Sequence, residues 1–212
     1  MYENYLKRLF DFVATIFGFV LILPLFLLLC FLIKLDSKGP IFFKQRRIGK
    51  NKTEFMILKF RSMRIDAPKD QPTHLLENPE IYITRIGKIL RTTSLDELPQ
   101  FINIIVGQMS IVGPRPALYN QADLIAKRDE FGANNIRPGL TGWAQVNGRD
   151  ELPIAVKAKL DGEYVRRMSF LFDLLCIART IKSVSTAEGV VEGNLDRQKV
   201  EEDEKNFNHR QE

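Results

Sequence analysis

The first pattern along the chain is an apolar run without interruption: from Phe12 to Ile33, 22 residues carry no formal charge. At about 1.5 Å rise per residue, a straight helix of that length reaches ~33 Å, the thickness of a bilayer's hydrocarbon core. Membrane insertion is the expectation. A secretory signal fits poorly, because Leu25–Ile33 simply continues apolar and no small-x-small cleavage site precedes the basic segment beyond it. Pro24 stands close to the middle of the run, where its missing N–H and its clash with the carbonyl four residues back predict a kink between Val20 and Pro24. Two arrangements stay open: a proline-kinked helix that spans, since prolines are common in membrane helices, or a re-entrant helix that breaks at Pro24 and returns to the side it entered from. Lys7 and Arg8 precede the run, and Lys34, Lys38, Lys44, Arg46 and Arg47 follow it. Basic flanks at both ends favour the re-entrant form with both ends in the cytoplasm.

After the run the periods shorten. Pro40–Phe43 and Glu54–Phe60 read as two extended segments around the polar turn Gly49–Lys52, a β-hairpin. Residues 66–80, with Pro68, Pro72 and Pro79, read as a loop. Asp96–Val106 reads as a short amphipathic helix, Ala117–Arg128 has helical character after the rigid Pro114-Arg115-Pro116, and Arg137–Gly142 is rich in turn residues. Leu152–Met168 and Phe170–Val184 are the longest remaining helix candidates. The fold class expected is α/β, mainly α with a short β-hairpin. Three units are expected: residues 1–36 as the membrane helix, 37–191 as a catalytic domain, and 192–212 as a charged, loosely ordered tail. Phe101, Ile102, Ile104, Ile105 and Val106, together with Phe170, Leu171, Phe172, Leu174 and Leu175, are many apolar side chains for a core this small. They are expected to meet one another or to rest in lipid as interfacial amphipathic helices.

Composition narrows the chemistry. At 212 residues, 45% hydrophobic and 27% charged, the chain suits one working core plus an appendage rather than disorder. Cys30 and Cys176 make neither a disulfide framework nor a CxxC site, so a reducing compartment is the default. With only His74 and His209, a multi-histidine metal cluster is excluded and a Ser/His/Asp hydrolase would rest on His74. Catalysis then falls to carboxylates. The net charge of +5 is a juxtamembrane excess, because residues 34–64 hold ten Lys/Arg against Asp36 and Glu54. Such a block attracts anionic phospholipid at about 1 kcal/mol per basic residue. Nucleic acid is set aside as a partner, since no helix-turn-helix, RNP or zinc-finger spacing accompanies the charge.

The densest chemical signal is Arg91-Thr-Thr-Ser-Leu-Asp96-Glu97-Leu-Pro99. Ser94 and Glu97 have capping-box spacing, which by itself explains an acidic residue there. Pro99 disturbs that register: with Ser94 as cap it is the fifth helical residue, where its absent N–H matters, whereas with Asp96 as cap it is the third. An Asp at a helix start is expected to stay ionised among free N–H groups and to serve as a nucleophile toward a phosphate held by the same donors. Glu97 suits Mg²⁺, a hard cation that binds carboxylate and phosphate oxygens. Arg91 and Arg115 suit bidentate phosphate contacts and Lys59 a point charge, although any one of them is equally explained as a solvated surface residue.

The proline-broken apolar helix, Lys59-Phe-Arg-Ser-Met63, Ser94-Leu-Asp-Glu-Leu98, Gly113-Pro-Arg-Pro116 and Arg137-Pro-Gly-Leu-Thr-Gly-Trp-Ala-Gln-Val-Asn-Gly-Arg149, in this order, resemble the small bacterial monotopic phosphoglycosyl transferases over about residues 1–188. The resemblance implies transfer of a sugar-1-phosphate from a UDP-sugar to a polyprenyl phosphate, usually undecaprenyl phosphate, at the cytoplasmic face of the bacterial inner membrane, beginning a surface glycan. It implies Asp96 as covalent nucleophile, Glu97 associated with Mg²⁺, Lys59, Arg91, Arg115, Arg137, Gln145 and Asp161 as substrate-binding residues, and a helix break at Pro24. Two other classes compete: an anchored adaptor binding lipid through residues 34–64 without chemistry, and a carboxylate-dependent hydrolase of lipid diphosphates. Which sugar is used, and the oligomeric state, are not readable from the sequence.

Overall fold

The apolar run forms the greater part of one helix, α1 (Lys7–Asp36), which follows a single wide turn at Tyr2–Leu6. The computed structural model describes residues 2–68, 79–148 and 152–186. Most of the 66–80 loop with His74, the motif's last residue Arg149, and the 192–212 tail with His209 lie outside the described residues. Pro24 sits inside α1 without interrupting its helical backbone, so the expected break at Pro24 is not a break in the helix. Phe26, Leu29 and Ile33, one face at helical spacing, pack on Phe60 and Leu90, while Phe17, Val20, Leu21, Leu27, Leu28 and Phe31 are exposed. The helix is long and apolar enough to cross a membrane.

Both ends of α1 are tied by polar contacts. At the start, Lys7 donates to Asp173 Oδ2 at 2.7 Å, and the hydroxyls of Tyr2 and Tyr164 donate to the same carboxylate, each at 2.6 Å. Asp11 accepts from Ser110 Oγ at 2.6 Å. Burial of so many charges is tolerable because each is hydrogen-bonded. At the other end, Arg61 donates to the carbonyls of Ser37 (2.7 Å) and Lys38 (2.6 Å), just past the carbonyl end of the helix, where a cation is favoured.

The hairpin is present, with β1 (Phe42–Ile48) longer than the apolar segment suggests, antiparallel to β2 (Glu54–Phe60) and in a register that opposes Phe43 and Lys59. Then come α2 (Arg85–Thr92), α3 (Gln100–Ile105), β3 (Ser110–Val112), α4 (Ala122–Asp129), β4 (Gly139–Thr141), α5 (Ile154–Arg167) and α6 (Phe170–Thr186). The fold is mainly helical with two small two-stranded sheets. The segment read as turns at 137–142 instead contributes β4, parallel to β3. Close approach explains the glycines there: a Cβ on Gly139 or Gly142 would collide with the Gly113 backbone, and Gly113 N–H donates to Thr141 O at 2.8 Å. Two motifs 24 residues apart are thereby locked backbone to backbone.

The apolar surplus divides. Ile104 and Phe172 are buried, whereas Val106, Phe170, Leu171, Leu174 and Leu175 are exposed.

Candidate active site

Asp96 and Glu97 lie not in the α-helix itself but in a single 3₁₀ turn, Leu95–Glu97, between α2 and α3. Ser94 adopts a left-handed conformation (φ 57°, ψ 15°) and its side chain makes no cap hydrogen bond, so the capping box does not form. Asp96 is not the cap of α3 either; Pro99 occupies that position, where a missing N–H costs nothing. A left-handed serine is strained by about 1 kcal/mol or more. That conformation turns the chain so that Asp96 is buried and Glu97 half-buried beside β2.

Lys59, on β2, donates to Glu97 Oε1 at 2.8 Å and reaches Asp96 Oδ2 at 3.4 Å. Arg115, from the proline-flanked loop after β3, donates to the same Glu97 oxygen at 2.9 Å. Arg91, in the last turn of α2, is close enough for its charge to act on Asp96. Burial works to raise the pKa of Glu97 but is outweighed by Arg115 and Lys59, which hold the group well below the ordinary carboxylate range. For Asp96 burial wins, Glu97 adds to it, and the pKa is raised despite Lys59 and Arg91. Helix-terminal N–H groups therefore do not keep Asp96 ionised as expected; it depends on two neighbouring cations.

Of the residues singled out in the sequence, Asp96, Glu97, Lys59, Arg91 and Arg115 come together. The other three stand apart from these contacts. Asp161 is buried and paired with Arg128 at 2.6 Å, and Arg128 donates in turn to the Arg115 carbonyl at 2.9 Å. Gln145 donates to Leu140 O at 3.1 Å, and its buried Oε1 has no partner among the described residues. Arg137 donates to Gly107 O at 2.9 Å, beyond the C-terminal end of α3.

Three residues that hold the site had no signal in the sequence. Arg128 reads as one more charge on a helix, yet it anchors the Arg115 loop. Asn103 accepts from Leu58 N–H at 3.0 Å and donates to Met56 O at 2.9 Å, fixing α3 against the strand that carries Lys59. Arg61, just beyond the strand that carries Lys59, ties that strand to the C-terminal end of α1. Each acts across long sequence separations, which local periodicity does not encode.

The sequence pattern of the family described as "Bacterial sugar transferase" matches residues 2–187. The chain belongs to that family. An exopolysaccharide production protein, ExoY, of Sinorhizobium fredii (strain NBRC 101917 / NGR234) is 39% identical over 86% of this chain and 87% of its own length. The sugar transferase EpsL of Bacillus subtilis (strain 168) is 37% identical over 89% of this chain and 92% of its own. The UDP-glucose:undecaprenyl-phosphate glucose-1-phosphate transferase of Escherichia coli (strain K12) is 38% identical over 83% of this chain, but the match spans only 39% of that larger protein. This bacterial sugar transferase is thus an enzyme of the phosphoglycosyl transferase class, with its carboxylate turn inside the matched region.

As donors for a divalent cation, Asp96 Oδ1 and Glu97 Oε2 have no protein partner among the described residues. No group of three or more metal-binding side chains occurs among those residues. Two carboxylates fit Mg²⁺, an ion that takes one or two of them and completes its shell with phosphate oxygens and water.

Proposed function

We propose that the chain transfers a sugar-1-phosphate from a UDP-sugar to a polyprenyl phosphate, releasing UMP, through a phosphosugar carried on Asp96. The observation that carries this reading is the buried Asp96–Glu97 turn bracketed by Lys59 and Arg115, in a chain whose relatives are named for this transfer. Asp96 Oδ attacks the sugar-bearing phosphorus, the bond to the UMP oxygen breaks, and UMP leaves. An oxygen of the lipid phosphate then attacks the same phosphorus and the Asp96 carboxylate is restored. Lys59 and Arg91 favour the ionised Asp96 that the first step needs. Arg115 and Lys59 offer positive charge to the phosphate oxygens. Mg²⁺, held by Glu97 and Asp96, would neutralise diphosphate charge in the donor.

Seating on the cytoplasmic face of the inner membrane, with α1 entering and leaving on one side, belongs to the same reading. Its support is that contacts with one domain recur along the helix, from Lys7 and Arg8 through Gly18 beside Phe101 to Phe26 and Ile33. A helix that carried its first residues across a bilayer would forfeit the earliest of these.

The test is intact-mass measurement after mixing the protein with UDP-sugar and Mg²⁺ but no lipid. One sugar phosphate per chain and up to about one equivalent of UMP are expected, and Asp96→Asn forms no adduct. Turnover that strictly requires both substrates together, with no adduct at any time, would sink the two-step course while leaving the transferase assignment standing.

A further inference from the structure

Beyond α3 from Asp96 and Glu97 lies a shallow, open cleft lined by residues that include Lys7, Arg8, Asp11, Lys50, Arg137 and Met168. The carboxylate turn precedes α3 and the cleft's arginines grip its far end, so the two are separated by a helix whose six residues rise about 9 Å. Arg8 donates its two terminal nitrogens to Ile104 O (2.6 Å) and Ile105 O (2.8 Å), while Arg137 uses Nε on Gly107 O at 2.9 Å. The carbonyl end of α3 thus holds two guanidiniums close together. Those carbonyls engage both terminal nitrogens of Arg8, whereas Nη1 and Nη2 of Arg137 have no protein partner among the described residues.

The charge in the cleft does not balance. Lys7 is paired with Asp173, which leaves the guanidiniums of Arg8 and Arg137 facing one carboxylate of the cleft, Asp11, which already accepts from Ser110 and lies 4.0 Å from Lys7. Burial first, and the charge of Arg137 second, lower the pKa of Arg8, as expected where like charges crowd. Around this basic cleft the surface is apolar. Met168 reaches its wall, Phe170 packs edge-on against Phe10 at 5.2 Å, Leu171 is 77% exposed, and Val106, 62% exposed, precedes Gly107. Large apolar side chains turned outward beside paired cations mark the depth at which lipid phosphates lie.

We propose that this cleft binds the phosphate of a membrane lipid, with the free fork of Arg137 as its principal contact and Lys50 on its rim. A guanidinium fork matches two phosphate oxygens at once, and an anion there relieves the crowding of Arg8 and Arg137. Two lipids carry the chemistry, an anionic phospholipid and a polyprenyl monophosphate. The inference rests on the membrane-seated reading and not on the covalent step.

Native mass spectrometry of the full chain released from detergent micelles, titrated separately with phosphatidylglycerol, polyprenyl phosphate and inorganic phosphate, is the test. One lipid retained per chain is expected, with Arg137→Gln weakening retention about fivefold or more, Arg137→Lys recovering part of it, and Lys50→Gln weakening it less. Retention of both lipids, each lost in Arg137→Gln, supports a general lipid-phosphate site; retention of polyprenyl phosphate alone, lost in the same variant, assigns the cleft to that lipid. Retention unchanged in Arg137→Gln overturns the proposal, as does inorganic phosphate held as tightly as either lipid. Should Arg137→Gln fail to fold, Lys50→Gln decides, and unchanged retention there overturns it too. Flotation with vesicles of neutral lipid reads membrane seating separately: a chain that stays behind defeats that reading whatever the cleft binds.

Discussion

Because Asp96 is buried next to Glu97, its pKa is raised even though Lys59 and Arg91 oppose the shift, and its ionised form is lost on acidification earlier than for an ordinary aspartate. The acid limb of kcat/KM is therefore expected above the usual 3.8. Glu97→Gln removes the neighbouring negative charge and moves that limb to lower pH; Lys59→Met removes a positive charge and moves it to higher pH while lowering kcat about 10²-fold. A pH–rate profile of the three proteins checks both directions, and a limb that stays in place in both variants separates Asp96 from the titration. A second expectation concerns Asp161, whose pairing with Arg128 is almost wholly buried. Asp161→Asn leaves the Arg128 charge uncompensated and costs about 3–5 kcal/mol of stability. Denaturant unfolding in detergent reads this cost. Activity falls as well, because Arg128 holds the Arg115 carbonyl; a variant with wild-type stability would remove the pair from this account.

At the scale of elements, α1 is the test case. Its N-terminal turn is bound to Asp173 and Ser110 and its C-terminal end to Arg61, so both ends face one domain. Single cysteines at Tyr5 and Lys38, in a chain with Cys30 and Cys176 replaced, are expected to label from the same side of sealed vesicles. Labelling from opposite sides would make α1 a span. Pro24 does not break the helix, yet it removes a hydrogen bond at mid-depth. Pro24→Ala is expected to raise the fraction labelled from both sides and to lower activity in proportion. α3 plays a different part: one short helix, pinned by Asn103 to β2, separates the carboxylate turn from the cationic cleft.

For the whole molecule, the proposed reaction requires that a water-soluble nucleotide sugar and a lipid phosphate reach one carboxylate. An apolar helix along one side and a basic, carboxylate-bearing turn on the domain meet that requirement. Excess EDTA is expected to abolish turnover, and Glu97→Gln to raise the Mg²⁺ concentration needed for half-maximal rate, since one charged oxygen is lost from a hard-cation site. Full turnover in EDTA would take the ion out of the reaction. A Glu97→Gln protein with an unchanged Mg²⁺ requirement would restrict Glu97 to holding Lys59 and Arg115.

What the sequence determined by itself was local or compositional. A 22-residue run without charge reads as a membrane segment from its length, alternation around a polar turn reads as a hairpin, and α5 and α6 follow from their helical periods to within two residues at each end. The chemistry of the Asp96–Glu97 neighbourhood was legible because the two groups are adjacent in the chain. Tertiary structure alone decided the rest. Ser94 has a capping residue's spacing, yet it turns left-handed because α2 and α3 must both pack on the hairpin and α1. Residues 139–141 look like a turn, yet they become a strand because their glycines admit the Gly113 backbone. Arg115, Arg128 and Arg137 are one residue type in three surface-like settings. One meets Glu97, one is buried against Asp161, and one keeps both terminal nitrogens without a partner among the described residues, and these differences arise from partners 18 to 33 residues away, a separation at which periodicity carries no information.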